Sequence, residues 1–289
     1  MFRKGTQQLQ TFLMDIASFT FLQHALAAGI LASVSCGIVG SYVVTRRISY
    51  IAGAIAHCTL GGMGAAIYFN REMGWSHATP LAGAVAAALS AAVIIGLARQ
   101  YGQQREDSVL GAIWSTGMAV GILFISRTGG YNEDLMGYLF GNILMVSTRD
   151  LWLIAALDVV VIIFTTLFYN RIVASCFDEE FAQLAGINVN FFHMMLLLMT
   201  ALTVVTLVQV VGLVMVIALL TLPASAASVW ATRLSGMMFL SIILSMLAVT
   251  GGLAVSYGPD LPSGAVIIML SAGIYLLSIV MARFRGGRR

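Results

Sequence analysis

The sequence predicts an all-α, polytopic membrane protein with eight to nine spanning helices. Three observations carry that prediction. Charged residues make up 9% of the 289 positions and AVILMFWYC residues make up 60%, whereas a water-exposed domain carries roughly 25% charge. Apolar runs of about 20 residues, the length needed to cross a bilayer, recur along the whole chain. Arginine falls on alternate connections between those runs, as expected when one set of connections faces the cytoplasm.

Spans are expected near 21–44, 50–69, 79–98, 108–126, 151–170, 191–209, 211–230, 235–256 and 264–283. The stretch 191–230 is long enough for a single helix, but two crossings joined near Gln209–Gly212 fit its length better. Segment 135–146 is too short to cross and reads as a half-helix or an outer-loop helix. Residues 1–16 form a short leading segment with Arg3 and Lys4, and 283–289 form a basic tail. No long apolar run follows Lys4 until Ala17, and the first span is too long for a cleaved signal peptide. The whole chain, 1–289, is read as one transmembrane domain. Arg46, Arg47, Arg99, Arg105, Arg171, Arg233 and the tail fall on one side when nine crossings are counted. That side is assigned to the cytoplasm, and the cost is an outer N-terminus bearing Arg3 and Lys4.

Composition excludes several function classes. The only lysine is Lys4, so no P-loop and no intramembrane Schiff-base lysine is available. The balance of 15 basic and 12 acidic residues in so apolar a chain does not suit a nucleic-acid binder. Cys36, Cys58 and Cys176 form neither a disulfide framework nor a CxxC metal site. Glycine is abundant, at 29 residues. The GxxxG spacings Gly117–Gly121 and Gly137–Gly141 point to close helix packing, because small residues let backbones approach in lipid.

Ionisable residues inside spans are expensive and therefore functional suspects. His57 is the clearest. It stands mid-span after the small residues Ala52, Gly53, Ala54 and Ala56, beside Cys58. Imidazole and thiolate are good ligands for divalent transition metals; the alternative is a histidine bonded to a neighbouring helix. Gly61, Gly62 and Gly64 follow, where the helix is expected to weaken or break. Asp158 lies within a span and serves either a helix contact or a permeation path. His24 and His193 lie near span ends, where interfacial solvation is the default. Cys36 and Cys176 are read as apolar fillers, Trp75 and His77 as an interfacial anchor pair, and Glu133 and Asp134 as outer-loop acids.

Two segments on the cytoplasmic side are unusual. Residues 177–188 place Asp178, Glu179 and Glu180 in a row and then reach Gly186, a helix C-cap; this reads as a short amphipathic surface helix. From Pro223, which ends or kinks the preceding apolar helix, small residues run on toward Arg233. They offer a smooth surface that a soluble partner could grip.

In order, the chain carries RRISYIAGAIAH (46–57), EDSVLGAIWS (106–115), DLMGYLFGNILMVS (134–147), DEEFAQLAGINV (178–189), VQVVGLVMVIALLTLPASAA (208–227) and PSGAVIIML (262–270). Together these resemble the membrane permease of the zinc/manganese, ABC-3 class of ATP-binding-cassette importers, over about residues 20–283. The layout is also similar to that of the vitamin B12 and siderophore importer permeases. The resemblance implies a pair of permease copies in the lipid bilayer of the inner membrane and a cytoplasmic ATPase dimer that uses ATP. It also implies an extracytoplasmic metal-binding protein, a transported divalent metal ion and no permanently bound cofactor. By resemblance, ATPase contacts fall at Glu180, Ala182 and Gly186 and along Pro223, Ala224, Ser225 and Arg233. The substrate path is expected at His57, Cys58 and Asp158.

The family usually carries Gly-Asp-x-(Ile/Leu)-(Ser/Ala)-His in the second span, with Asp and His on one helix face. Here Gly53 stands where that Asp is expected. Another group takes over (Cys58, Asp158 or an acid of the second copy), or the ion passes with its waters. A softer His/Cys set suits Zn2+ better than Mn2+. The competing functions are a metal-chelate permease, a secondary ion-coupled transporter and an integral membrane enzyme. The secondary transporter lacks paired intramembrane carboxylates, and the enzyme lacks a catalytic cluster at one membrane surface.

Overall fold

The computed structural model describes residues 14–16, 18–101, 106–128, 141, 143–259 and 261–286. Among the described residues there is no strand. The helices are α1 (Thr20–Thr45), α2 (Ser49–Glu72), α3 (Pro80–Tyr101), α4 (Glu106–Arg127), α5 (Thr148–Phe177), α6 (Glu179–Leu184), α7 (Val189–Val211), α8 (Leu213–Ser228), α9 (Leu234–Tyr257) and α10 (Ser263–Gly286). A 3-10 turn occupies Ile143–Met145. Eight of the helices are long and apolar enough to span a bilayer. The ninth apolar helix, α8, has 16 residues and a length of about 24 Å, short of the ~30 Å hydrocarbon core.

The break expected near Gln209–Gly212 falls at Gly212, whose φ of 84° lies in the left-handed region open to glycine. Two other expectations are narrowed. Helix α2 runs unbroken through Gly61, Gly62 and Gly64, so the expected break is absent; those glycines are used for packing. Helix α8 continues past Pro223 to Ser228, so of the two expected outcomes, an end or a kink, the end is excluded. The segment 135–146 falls largely outside the described residues, as do Glu133 and Asp134.

The chain divides into two compact units. Unit 1 takes residues 1–44, 136–163 and 210–289. In it, α1 presents Ala28, Ala32 and Cys36, all fully buried. Gly40 lies against the Leu220 carbonyl of α8, and Gly37 lies against Ile242 of α9. Gly252 of α9 meets Ile267 of α10 in the same way. Gly141 has a φ of 67° and lies on Val211 and Gly212. It is a left-handed loop residue, so the expected Gly137–Gly141 helix contact is not what Gly141 does.

Unit 2 takes residues 45–135 and 164–209. Here the Gly117–Gly121 expectation holds. A Cβ at Gly61 would stand 2.6 Å from the Gly117 carbonyl oxygen of α4, and one at Gly64 would stand 2.6 Å from that of Gly121. Gly62, on another face of α2, meets the Gly83 carbonyl of α3. The three glycines of α2 thus receive two helices at backbone contact. In lipid, where apolar burial no longer drives association, such dispersion contacts hold helices together.

Candidate functional site

Helix α2 buries Ala52, Gly53, Ala54, Ile55 and Ala56 and brings the half-buried His57 to the α4 side. The imidazole stacks on Trp114, with ring centroids 4.3 Å apart and planes 19° from parallel. Its Nδ1 is buried with no hydrogen-bond partner among the described residues. Gly53 stands one turn earlier on the same face. A Cβ there would lie 3.4 Å from Cζ3 of Trp114. The indole therefore spreads across the face formed by Gly53 and His57 and fills the room that an acidic side chain at 53 would need. Cys58 turns elsewhere. Its Sγ lies 3.8 Å from the Ala87 carbonyl of α3, and it lines a cavity of about 350 Å³ with Gly61, Ala87, Ser90, Thr116 and Gly117. Both residues touch α4, His57 at Trp114 and Cys58 at Gly117, and the Cys58 thiol also meets α3. Asp158 is buried within the part of α5 that belongs to unit 1. Among the described residues no group of three or more His, Cys, Asp or Glu side chains is arranged to hold a metal ion. Trp114 escaped the sequence analysis, although it lies in the 106–115 motif. An aromatic amid Gly111, Ala112 and Ser115 was the available signal.

The second cluster gathers at α6. Asp178 caps this helix by accepting a hydrogen bond from the Phe181 N–H at 2.9 Å. Gly186, with a φ of 78°, closes it. The Gly186 N–H donates to the Gln183 carbonyl at 3.0 Å and the Ile187 N–H to the Ala182 carbonyl at 2.9 Å, which is the paired C-terminal cap that Gly186 predicted. Glu179 receives Arg46 at 2.5 Å and Arg99 at 2.7 Å on the same oxygen. Arg46 also donates to the Ser175 carbonyl at 2.7 Å. His193 is buried, and its Nδ1 lies 3.3 Å from Arg46 and 3.1 Å from Arg99. Its expected interfacial solvation is therefore wrong, because two guanidiniums take the place of water. Burial alone would raise the Glu179 carboxyl, but the hydrogen bonds and charges of Arg99 and Arg46 outweigh it and hold the group below its ordinary value. Arg46, Arg99 and 178–189 were each assigned to the cytoplasmic side from arginine distribution, and they meet here.

The residues expected to touch an ATPase are divided. Glu180 and Gly186 are exposed, whereas Ala182 is fully buried. The outward face of α6 is apolar instead, with Phe181 62% and Leu184 88% exposed. Pro223 and Ala224 are buried and Ser225 is half-buried, while Ser228 and Arg233 are exposed. The small side chains after Pro223 serve packing within unit 1, which displaces any accessible surface to 228–233.

The ABC 3 transport family matches residues 18–282. The manganese transport system membrane protein MntC of Halalkalibacterium halodurans is 32% identical over 287 residues, covering 96% of each chain. The solved structure titled PsaBC from Streptococcus pneumoniae in complex with Fab matches with a TM-score of 0.81 and 30% identity, covering 93% of this chain and 94% of that one. A metal-chelate type ABC transporter in an inward-facing conformation matches with a TM-score of 0.70 at 13% identity, covering 93% and 88%; this supports the fold alone. The chain therefore belongs to the ABC 3 transport family, as a multi-pass permease subunit of the cell membrane that acts as a transport component and not as an enzyme.

Proposed function

We propose that this chain forms, as a pair of copies, the path of an importer for divalent transition-metal ions. A separate cytoplasmic ATPase dimer drives it, and an extracytoplasmic metal-binding protein supplies it. Residues 1–289 act as one permease domain, since α5 and α7 each run from one compact unit into the other. His57 lines the path. The observation that carries this is its imidazole, held by Trp114 in the middle of a small-residue helix with Nδ1 buried and without a partner among the described residues. An unpaired ring nitrogen within a span is costly, which marks it as a functional group. This chain supplies one or two donors and no acid at 53, so a passing ion keeps waters or takes further ligands, including an acid of the second copy.

The imidazole nitrogen of His57 is a softer donor than a carboxylate or water oxygen, which favours Zn2+ over Mn2+. Manganese is the reading favoured by relatives such as the MntC protein, named for manganese transport. Competitive uptake separates the two. The permease, reconstituted in vesicles with its ATPase and binding protein, is offered equimolar Zn2+ and Mn2+. Zinc accumulates first under our reading, and manganese first under the alternative. His57→Ala transporting at the wild-type rate removes His57 from the path. By their accessibility, Glu180, Phe181, Leu184, Gly186 and the 228–233 segment with Arg233 are the surfaces offered to the ATPase; Ala182, Pro223 and Ala224 support them from beneath.

A further inference from the structure

Five segments of unit 2 meet in one cluster, in which two arginines bond one carboxylate. Arg46 comes from the short link between α1 and α2, and Arg99 from the last turn of α3. The Ser175 carbonyl lies near the end of α5, His193 in the first turns of α7, and Glu179 is the first residue of α6. The side chain of Arg46 is 6% exposed. The link that carries it is unusual, because Arg47 adopts a φ of 58°, a left-handed backbone that non-glycine residues rarely take. That turn sends Arg47 out to solvent and Arg46 inward. His193 accepts from both arginines, so each guanidinium is held from two directions, and the single negative charge among them is Glu179.

The placement has a mechanical consequence. The outward side of α6 offers Glu180, Phe181 and Leu184. The inward side offers Glu179, whose Arg46 partner stands three residues ahead of the start of α2. Along α2, Ser49 and His57 are separated by about 12 Å of rigid helix. Charge-assisted bonds to a carboxylate are short and strong and fix orientation as well as distance. We propose that Glu179 is a positioning residue for energy coupling: with Arg46 and Arg99 it fastens α6 to the cytoplasmic ends of α2 and α3, so that displacement of α6 moves the helix that carries His57. This rests on the transport function above and adds the residue through which the stroke passes.

The test uses the full complex, with permease, ATPase and binding protein reconstituted in vesicles and Zn2+ or Mn2+ salts as probes. Uptake and ATP hydrolysis are measured together. If the wild-type complex moves neither ion, the proposed function fails and not this inference. Given wild-type transport, Glu179→Gln is expected to lower uptake by about two- to thirtyfold. Hydrolysis stays within about twofold of wild type, so the ATP used per ion rises. Glu179→Asp, which keeps the charge, recovers most of the uptake. Arg99→Gln, which retains the Arg46 pair, gives an intermediate ratio and reports the same effect if the first variant assembles poorly. An ATP-to-ion ratio equal to wild type in both Glu179→Gln and Arg99→Gln overturns the proposal. So does Glu179→Asp being as defective as Glu179→Gln, since only the shape of the side chain would then matter.

Discussion

Replacing Gly53 tests whether the Trp114 indole occupies the place of a second ligand. A Cβ at 53 would rest 3.4 Å from the ring, which is ordinary contact, so Gly53→Ala is expected to transport like wild type. Gly53→Asp adds a carboxyl about 1.5 Å beyond that Cβ, into the indole, and the ring must leave His57. Losing an aromatic stack costs about 0.5–1.5 kcal/mol. If the imidazole geometry governs ion capture, uptake at limiting metal falls about two- to thirteenfold. The double variant Gly53→Asp/Trp114→Ala clears the space and sets a carboxylate four residues from His57 on one face. It is expected to recover uptake and to shift the Zn2+/Mn2+ ratio toward the harder Mn2+. The assay is competitive uptake in vesicles at metal concentrations below saturation. Gly53→Asp with wild-type uptake and an unchanged ratio refutes the reasoning, because the indole would then not fill that room.

Three further outcomes follow from the packing and electrostatics. Glu179 has a carboxyl held below its ordinary value of 4.5. Its contribution is therefore fully present above that pH and is lost as pH falls through the lowered folded value; Glu179→Gln should flatten the acid limb of a thermal-melting profile taken in detergent. Gly117→Leu forces a side chain onto the backbone of Cys58 and should destabilise the complex by about 1–3 kcal/mol, read as a lower melting temperature in detergent. Gly212→Ala places a side chain at φ 84° and ψ 158°, a backbone conformation essentially reserved for glycine; it is expected to cost about 1–3 kcal/mol and to lower the yield of folded protein after detergent extraction.

Much of the architecture was legible because each element is a local property. Apolar runs mark the spans, Gly212 marks the break between α7 and α8, and Asp178 and Gly186 mark both ends of α6. The failures share one cause. Gly61, Gly62 and Gly64 suggest a weak helix when considered alone, yet two neighbouring helices pack against them. Pro223 suggests a helix end, yet the buried helix around it continues. His193 suggests an interfacial residue until Arg46 and Arg99, distant in sequence, arrive beside it.

The candidate site divides in the same way. By itself the sequence determined that His57 is an ionisable group within a span, that Gly53 leaves a gap one turn away and that a short capped helix follows α5. Only the tertiary structure decided what fills the gap and what holds the helix: Trp114 for the first, a shared grip by Arg46 and Arg99 on Glu179 for the second. The physical reason is that spacing along one helix fixes which residues share its faces, whereas the partner of a face depends on which other helix arrives there. Small residues permit that arrival without naming the visitor.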